Sequence, residues 1–139
     1  GIVIVHHQEN QGKTGALLSA LQAAKGDVFI IQDADLEYNP SEYPALMAPI
    51  LNRETDIVYG SRFLLKVKGA APINLAANGI SNWTLNLLYG TKVTDVNTCY
   101  KVFTRKAYEG ITIKGKHFDL DTELTVKMLQ KGLTITEVP

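Results

Sequence analysis

The chain has 139 residues, of which 45 % are hydrophobic and 20 % are charged. This length is typical of one domain, and the composition supports a buried core and argues against global disorder. Fourteen basic and fourteen acidic residues give no net charge, so the basic excess that is typical of nucleic-acid-binding proteins is missing. We therefore expect one domain over residues 1–139 and no nucleic-acid partner. The single cysteine, Cys99, cannot form an internal disulfide and favours a reducing compartment.

The first part of the chain has the pattern of a strand, a helix and a second strand. Residues 2–5 are a β-branched apolar run, and residues 28–32 (VFIIQ) are another; both are typical of strands covered on two faces. Between them, apolar residues on one face predict a helix over residues 14–25, with Gly26 just past its end. Such a unit of about 30 residues predicts two parallel strands joined by the helix.

The remaining elements also alternate between strands and helices. Further helices are expected over residues 42–52, 74–89 and 121–131, the last closed by Gly132, with a helical turn over 105–109. Further strands are expected over residues 56–59, 98–103 and 133–138. The whole pattern is that of an α/β protein. No apolar run reaches the ~18 residues of a membrane-spanning helix.

The predicted helix over residues 74–89 carries two opposite stripes. Its apolar side chains are Ala76, Ile80, Trp83 and Leu87, and the helix ends at Gly90. Asparagines recur every four residues on much of the other side, at Asn74, Asn78, Asn82 and Asn86. We interpret the apolar stripe as the buried face and the asparagines as a solvated face.

Two carboxylates follow the second predicted strand. Ligands of parallel α/β sheets bind beyond the carboxyl ends of the strands. Asp33 and Asp35 are two residues apart, so in an extended segment they face the same way. Together they form a natural site for Mg²⁺ or Mn²⁺, which would keep waters and bridge to a diphosphate. The alternative is a pair of ordinary loop carboxylates, with Asp35 capping the next turn.

Lys13 begins the first predicted helix, directly after Gly12. A helix N-terminus with an ammonium group favours an anion; the alternative is a solvated lysine. Residues 7–14 (HQENQGKT) come close to the P-loop pattern G-x-x-x-x-G-K-[ST]. His7 stands where that pattern has its first glycine, and its side chain would obstruct the tight loop. A degenerate P-loop nucleotide-binding protein is therefore a weaker alternative.

Four segments occur in an order that resembles a known family. They are Asn10-Gln11-Gly12-Lys13, then DVFIIQDADLEYNP, DIVYGSRF and VTDVNTCYKVF. Together they resemble the family-2 inverting glycosyltransferases, in particular polyprenyl-phosphate sugar transferases of the dolichol-phosphate mannosyltransferase type. The likeness runs from about Val3 to Pro139. It implies a GT-A fold, which is Rossmann-like, with a mostly parallel sheet flanked by helices and here incomplete at the N-terminus.

The resemblance also implies a reaction and its participants. The donor would be a nucleotide sugar (a UDP- or GDP-sugar), and the acceptor a polyprenyl phosphate such as dolichol- or undecaprenyl-phosphate. Transfer would proceed with inversion and with Mg²⁺ or Mn²⁺. The protein would work at the cytoplasmic face of a membrane, attached through parts outside this chain, and a homo-oligomer is left open. In place of a solvated face, the helix over residues 74–89, with Lys66 and Lys68 just before it, could lie near the acceptor or the membrane surface. A non-catalytic α/β interaction module remains the alternative of another class.

The resemblance assigns roles to individual residues. Asp33 and Asp35 correspond to the D-x-D motif, with Asp35 expected to hold the metal. The donor would also be bound by Asn10, Gly12 and Lys13. Arg62 falls near phosphate and Asp95 near the acceptor, as catalytic candidates. An acceptor phosphate is already anionic, so Asp95 could position the acceptor or the metal instead of acting as a base. The structural alternatives are a salt bridge for Arg62 and a turn or cap for Asp95.

The resemblance departs from the family at the front of the chain. The family's domain normally has two further strands, a helix and an acidic nucleotide-binding segment before a position equivalent to residue 1. We therefore expect the larger, C-terminal part of a longer domain, which alone binds nucleotide weakly or not at all. Two further expectations are local. Cys99 is a core residue, and the acidic segment over residues 118–123 caps a helix, although it could instead contribute acids to the acceptor side.

Overall fold

The computed structural model describes residues 1–33, 38–64, 72–115 and 120–139, and of residues 72–77 it describes the backbone alone. In chain order its elements are α1 Gly12–Ala23, β1 Val28–Ile31, a 3₁₀ turn Pro40–Glu42, α2 Tyr43–Leu51, β2 Ile57–Gly60, α3 Pro72–Tyr89, β3 Lys101–Thr104, α4 Arg105–Tyr108, α5 Leu120–Gln130 and β4 Thr136–Val138. This alternation of helices and strands confirms the predicted α/β class.

The four strands form one sheet in the order β1–β3–β2–β4. β3 runs antiparallel to both β1 and β2, whereas β4 lies parallel to β2. Among the described strands the sheet is therefore mixed rather than mostly parallel, because β3 inserts between β1 and β2 in the opposite direction. The strands β1, β2 and β4 still point the same way. Their carboxyl ends share one edge of the sheet with the amino end of β3.

The sheet is covered on both faces. Ile57 and Tyr59 of β2 pack with Phe103 in a core that includes residues of α1, α3 and α5. The alternate residue Val58 packs with Val102 and with Leu46 of α2. Successive strand residues point to opposite faces, which explains why all four residues of β2 are buried. The short apolar runs in the sequence therefore correspond to strands buried on two sides.

The apolar run over residues 2–5 does not form the predicted strand. Ile2 is 93 % exposed and Val5 is 48 % exposed, and in the described sheet β1 pairs with β3 alone. A strand exists only where a neighbour offers N–H and C=O groups to pair with, and an apolar pattern does not supply that neighbour. The predicted parallel pair of residues 2–6 and 28–32 is therefore wrong for this structure.

The helix ends agree with the glycine pattern at two helices and not at a third. Gly90 has φ 64° and directly follows the last residue of α3, as predicted. Gly132 has φ 76°, its N–H donates to the Leu129 carbonyl oxygen, and the next N–H donates to Met128. These two bonds are a Schellman motif, which closes α5 as predicted. At α1 the cap is Ala24, in an extended conformation, so the predicted role of Gly26 is wrong.

The strand predicted over residues 98–103 begins later than predicted. β3 starts at Lys101 rather than at residue 98. The Lys101 N–H bends back to the Cys99 carbonyl oxygen at 2.9 Å, and the Thr98 N–H donates to Asp95. Residues 95–100 therefore form a folded segment at the edge of the sheet instead of a strand.

α3 is turned the opposite way from the prediction. Ile80, Trp83 and Leu87 are 68 %, 66 % and 66 % exposed, whereas Asn78 and Asn82 are only 5 % and 9 % exposed. The interpretation of the asparagines as a solvated face is therefore wrong. They face the protein, and the apolar stripe faces outward.

The buried asparagines bind a segment that has no regular structure. Asn82 donates to the Thr94 carbonyl oxygen and accepts from the Val96 N–H at 2.9 Å. Asn86 bonds both the N–H and the C=O of Val93. An irregular buried backbone cannot satisfy its own polar groups, so side chains must do so. Within the described side chains, Asn78, Asn82 and Asn86 of the repeat are thus partners for residues 93–96.

We predict that Asn82→Leu lowers the free energy of unfolding by about 2–6 kcal/mol, because two buried backbone groups lose their partner at about 1–3 kcal/mol each. Urea unfolding followed by circular dichroism measures this. The matched control is Asn52→Leu, since Asn52 is exposed and bonds only a neighbouring Glu54 side chain; its cost should stay near 0.5 kcal/mol. Equal costs for the two variants would contradict the role of Asn82.

Candidate functional site

Charged side chains from five parts of the chain meet at the edge formed by the carboxyl ends of β1 and β2. Asp33 follows β1 and Arg62 follows β2, whereas Asp95 lies in the segment before β3. Lys13 comes from the first turn of α1 and Asp121 from the first turn of α5. Their contacts divide these side chains into two groups, one around Asp33 and one around Asp95.

Lys13 and Asp33 form an ion pair. The Lys13 Nζ lies 3.0 Å from Asp33 Oδ2, and both side chains are about one-third exposed (33 % and 28 %). Partial burial acts to raise the pKa of Asp33, but hydrogen bonds from the Cys99 thiol and from Lys13 favour its charged form, so its pKa lies below the ordinary value. Burial acts to lower the pKa of Lys13, and Asp33 with Asp121 raises it above the ordinary value. The sequence singled out both residues but not their pairing.

Cys99 belongs to this group and also packs against the core around Tyr100. Its Sγ lies 2.6 Å from Asp33 Oδ2 and 3.6 Å from Lys13 Nζ, and the residue is only half-buried. The expectation of a core cysteine therefore holds in part: Cys99 contacts core residues, and the bend at residues 98–100 also brings its thiol to the charged edge of the sheet. Burial and the hydrogen bond to the Asp33 carboxylate both raise the pKa of Cys99.

Asp121 connects this group to a fully buried lysine. Its Oδ1 lies 2.8 Å from the Nζ of Lys101, and its Oδ2 lies 3.8 Å from the Nζ of Lys13. Lys101 also stacks over the Tyr59 ring at 5.0 Å. Burial lowers the pKa of Lys101, and Asp121 opposes that shift. The sequence analysis considered Asp121 mainly as a helix-capping acid. A lysine inside the apolar run YKVF was the available signal that a buried carboxylate must lie nearby.

The second group is centred on Asp95. Arg62 binds this carboxylate with two nitrogens, Nε at 2.8 Å and Nη2 at 3.0 Å, and with its backbone N–H at 3.2 Å. Asn78 Nδ2 approaches it at 3.3 Å. The Asp95 side chain is fully buried, whereas that of Arg62 is 41 % exposed. The hydrogen-bonded carboxylate raises the pKa of Arg62 above its ordinary value. Solvent therefore meets this pair at the guanidinium group.

Glu137 of β4 fixes the backbone that carries Asp95. Its carboxylate accepts from the N–H of Thr94 at 2.9 Å, from the Thr94 hydroxyl at 2.8 Å and from the N–H of Asp95 at 3.0 Å. The sequence analysis missed this residue, and a contact across 42 positions leaves no local signal.

The remaining predicted residues lie elsewhere or outside the described part. Gly12 has φ 68°, and its N–H donates to Asn10 Oδ1 at 2.8 Å. Both residues line a cleft with Lys114 and Gly115 at the start of α1, while the Lys13 side chain turns away to Asp33. Asp35 lies outside the described residues.

The described residues fit a divalent cation through one carboxylate. Asp33 has the oxygen chemistry that Mg²⁺ and Mn²⁺ prefer, and it lies at the open edge of the sheet. Its Oδ2 is shared with Lys13 and Cys99. Within residues 1–33, 38–64, 72–115 and 120–139, no three His, Cys, Asp or Glu side chains come together as a ligand set.

Comparison with known proteins identifies the family of the chain. Ligands of open α/β sheets bind outside the carboxyl ends of the strands, and that is the edge at which these acids and bases gather. The chain belongs to the family described as glycosyl transferase family 2, whose model matches residues 1–112. This membership confirms the resemblance found in the sequence. The elements α5 and β4, with Asp121 and Glu137, lie beyond the matched residues.

Curated relatives match almost the whole chain. It is 28 % identical to the low-salt glycan biosynthesis hexosyltransferase Agl6 of Haloferax volcanii, over 98 % of this chain and 34 % of the relative. It is 27 % identical to the UDP-N-acetylglucosamine–dolichyl-phosphate N-acetylglucosaminyltransferase of Methanococcus voltae, over 99 % of this chain and 58 % of the relative. It is 26 % identical to the undecaprenyl-phosphate mannosyltransferase of Micrococcus luteus, over 98 % of this chain and 58 % of the relative. The chain thus spans between 34 % and 58 % of the length of these relatives.

We predict that Cys99 alkylates slowly at neutral pH and that Asp33→Asn accelerates the reaction. The thiolate is the reactive form, and burial with the Asp33 carboxylate holds the pKa of Cys99 above its ordinary value. Removal of the Asp33 charge should lower that pKa, so the pH profile of iodoacetamide labelling should move to lower pH. Mass spectrometry measures this cleanly, since Cys99 is the only cysteine. Asp56→Asn, at the opposite edge of the sheet, is the control, and a profile unchanged in Asp33→Asn would contradict the contact.

Proposed function

We propose that the protein transfers a sugar from a nucleotide-sugar donor to a polyprenyl phosphate, with inversion and with a divalent cation. The observation that carries this proposal is the gathering of two ion pairs, Lys13–Asp33 and Arg62–Asp95, at the carboxyl edge of a sheet in a chain of glycosyl transferase family 2. The names of two relatives, which include dolichyl-phosphate and undecaprenyl-phosphate, support the acceptor class.

The group around Asp33 is assigned to the donor. Asp33 and Asp35 would hold Mg²⁺ or Mn²⁺, which when bound would neutralise the departing diphosphate. Lys13 adds a cation at the N-terminus of α1, where an anion is favoured. Asn10 and Gly12 line the neighbouring cleft, which suits the rest of the donor. These residues bind and orient the nucleotide sugar for a single in-line displacement at the sugar carbon.

The group around Asp95 is assigned to the acceptor. A lipid phosphate is anionic at neutral pH, so its attack on the sugar does not require a strong base. Asp95 is fully buried and bound by Arg62 and Asn78, a geometry that suits positioning. The exposed side of the Arg62 guanidinium would bind a phosphate oxygen, because its fork holds Asp95 and leaves further N–H donors outward.

We predict that Asp35→Ala and Arg62→Met each reduce transfer by at least about 100-fold, the usual cost of one lost charge-stabilising group at a reacting centre. The assay is a screen of UDP- and GDP-sugars with Mn²⁺ and a polyprenyl phosphate, using the full-length protein and measuring sugar in the lipid extract. Asp56→Asn, which affects a Lys106 pair at the opposite edge, should retain activity. If Asp35→Ala retains activity, the metal assignment fails, and if no donor is used, the chain is better regarded as a non-catalytic α/β module.

The proposal includes a position at the cytoplasmic face of a membrane, and α3 supplies the surface. No helix of the described residues is long and apolar enough to cross a bilayer. The α3 sequence contains no charged residue, and its outer face exposes Ile80, Trp83, Leu87 and Leu88. Between Arg62 and Asp95 the sequence has three lysines and no acid. An apolar, basic segment of this kind fits the interface of an anionic bilayer. The sequence pointed to attachment through parts outside this chain, and it left open that this region, with Lys66 and Lys68 just before α3, lies near the membrane surface.

We predict that the protein floats with vesicles of anionic phospholipid and that the emission of Trp83, the only tryptophan, shifts to the blue. Ile80→Glu should weaken vesicle binding by at least roughly tenfold, since burial of one such side chain is worth about 1.5–3 kcal/mol. Leu51→Glu, at an exposed leucine of α2 (68 % exposed), is the matched control. A blue shift that grows with protein concentration and needs no vesicles would point to a second copy of the chain and contradict the lipid surface.

A further inference from the structure

The Lys13 ammonium lies between two carboxylates. Its Nζ is hydrogen-bonded to Asp33 Oδ2 at 3.0 Å and stands 3.8 Å from Asp121 Oδ2. The second distance is a Coulombic contact without a hydrogen bond. A movement of Nζ by about 1 Å would exchange one partner for the other, which the long, flexible lysine stem permits.

The other charges of the cluster cannot make this exchange. Lys101 is fully buried and holds Asp121 Oδ1 at 2.8 Å, so Asp121 is fixed in place with Oδ2 directed at Lys13. A buried lysine that lost its carboxylate would carry an uncompensated charge. Lys13 is one-third exposed and is the mobile member. The cluster holds two acids and two lysines, and its charge is balanced in either position of Lys13.

We propose that Asp121 is a positioning residue that receives Lys13 when Asp33 binds a divalent cation. The inference rests on the proposed function only in naming Asp33 as a cation ligand. The Lys13 ammonium must leave Asp33 Oδ2 before a cation can take that oxygen. Asp121 keeps the displaced ammonium paired and close to the donor, so that the exchange costs little. Without Asp121, Lys13 competes with the cation for Asp33.

The test is a double-mutant cycle on Mn²⁺ binding, read from the free Mn²⁺ signal in electron paramagnetic resonance. The four proteins are wild type, Asp121→Asn, Lys13→Met and the double variant, each in the full-length protein. We expect Asp121→Asn to weaken Mn²⁺ binding about tenfold in the wild-type background, which is within the range of coupling between contacting residues. In the Lys13→Met background the same change should cost about twofold or less, because no ammonium needs a second partner. Lys13→Met alone should bind Mn²⁺ more tightly than wild type.

Three outcomes would overturn the proposal. If Asp121→Asn weakens Mn²⁺ binding equally in both backgrounds, Asp121 acts only through the electrostatic attraction of its charge for Mn²⁺ or through the stability of the fold. If it has no effect in either background, Asp121 does not receive Lys13. If neither wild type nor Lys13→Met binds Mn²⁺, Asp33 is not a cation ligand.

Two further variants separate this result from unfolding and from the proposed function. Asp121→Asn/Lys101→Met removes the buried pair together, which avoids an unpaired buried lysine, and it should repeat the Asp121→Asn result with native circular dichroism. Asp56→Asn breaks the exposed Lys106–Asp56 pair and should leave Mn²⁺ binding unchanged. The binding cycle needs no donor or acceptor, so it can succeed where the transfer assay fails, and the reverse.

Discussion

The burial of one carboxylate, that of Asp95, organises this end of the molecule. A fully buried charge that loses its partners costs about 3–5 kcal/mol. The neighbouring elements must therefore supply hydrogen-bond or ion-pair partners for Asp95. Arg62 arrives from the end of β2 and Asn78 from α3. Glu137 arrives from β4 and holds the backbone N–H of Asp95. These contacts join a strand, a helix and the last strand of the sheet at a single point, and the position of the Arg62 guanidinium follows from them.

The same constraint decides which way α3 faces. The segment that carries Asp95 is buried but has no ladder of its own, and of the two sides of α3 only the asparagine side can join Glu137 in satisfying it. Because the two stripes lie on opposite sides of the helix, the apolar residues must then face outward. Burial of each large apolar side chain would have been worth about 1.5–3 kcal/mol, yet unpaired buried backbone groups cost a comparable amount each. The polar requirement prevails because Asn82 and Asn86 each satisfy two such groups.

Local patterns predicted the elements whose causes are local. The runs VFII and IVYG form buried strands, and Gly132 closes α5, because hydrophobic burial and a left-handed backbone are properties of short segments. The strand over residues 2–5, the orientation of α3 and the place of Cys99 depend on what lies opposite, which the pattern does not contain. A helical stripe of asparagines is equally compatible with water and with an irregular backbone. Lys101 within an apolar strand was the one visible sign of a distant acid, and it leads to Asp121.

The candidate site itself was predictable as a set of residues and not as a set of pairs. Asp33, Lys13, Arg62 and Asp95 were each singled out, the last two through the family resemblance. Only the structure shows that the side chains of Lys13 and Arg62 are each already paired with a carboxylate. For Arg62 the sequence had left a salt bridge open beside a role near phosphate, and the structure shows that ion pair with Asp95. A ligand therefore has to use or to break two ion pairs.

The two pairs differ in how they can respond to a ligand. Lys13 and Asp33 are both partly exposed, and such a pair is worth about 1 kcal/mol or less, so a phosphate or a cation can separate them. Arg62 and Asp95 cannot separate without leaving a buried carboxylate unpaired, so any ligand must bind to the outer side of the guanidinium while the pair remains intact. One edge of the sheet therefore combines a fixed positive group with an adjustable one. This difference follows from burial alone, and it suits the proposed reaction, in which the acceptor phosphate would need a constant position while the charge on the donor would change as its diphosphate departs.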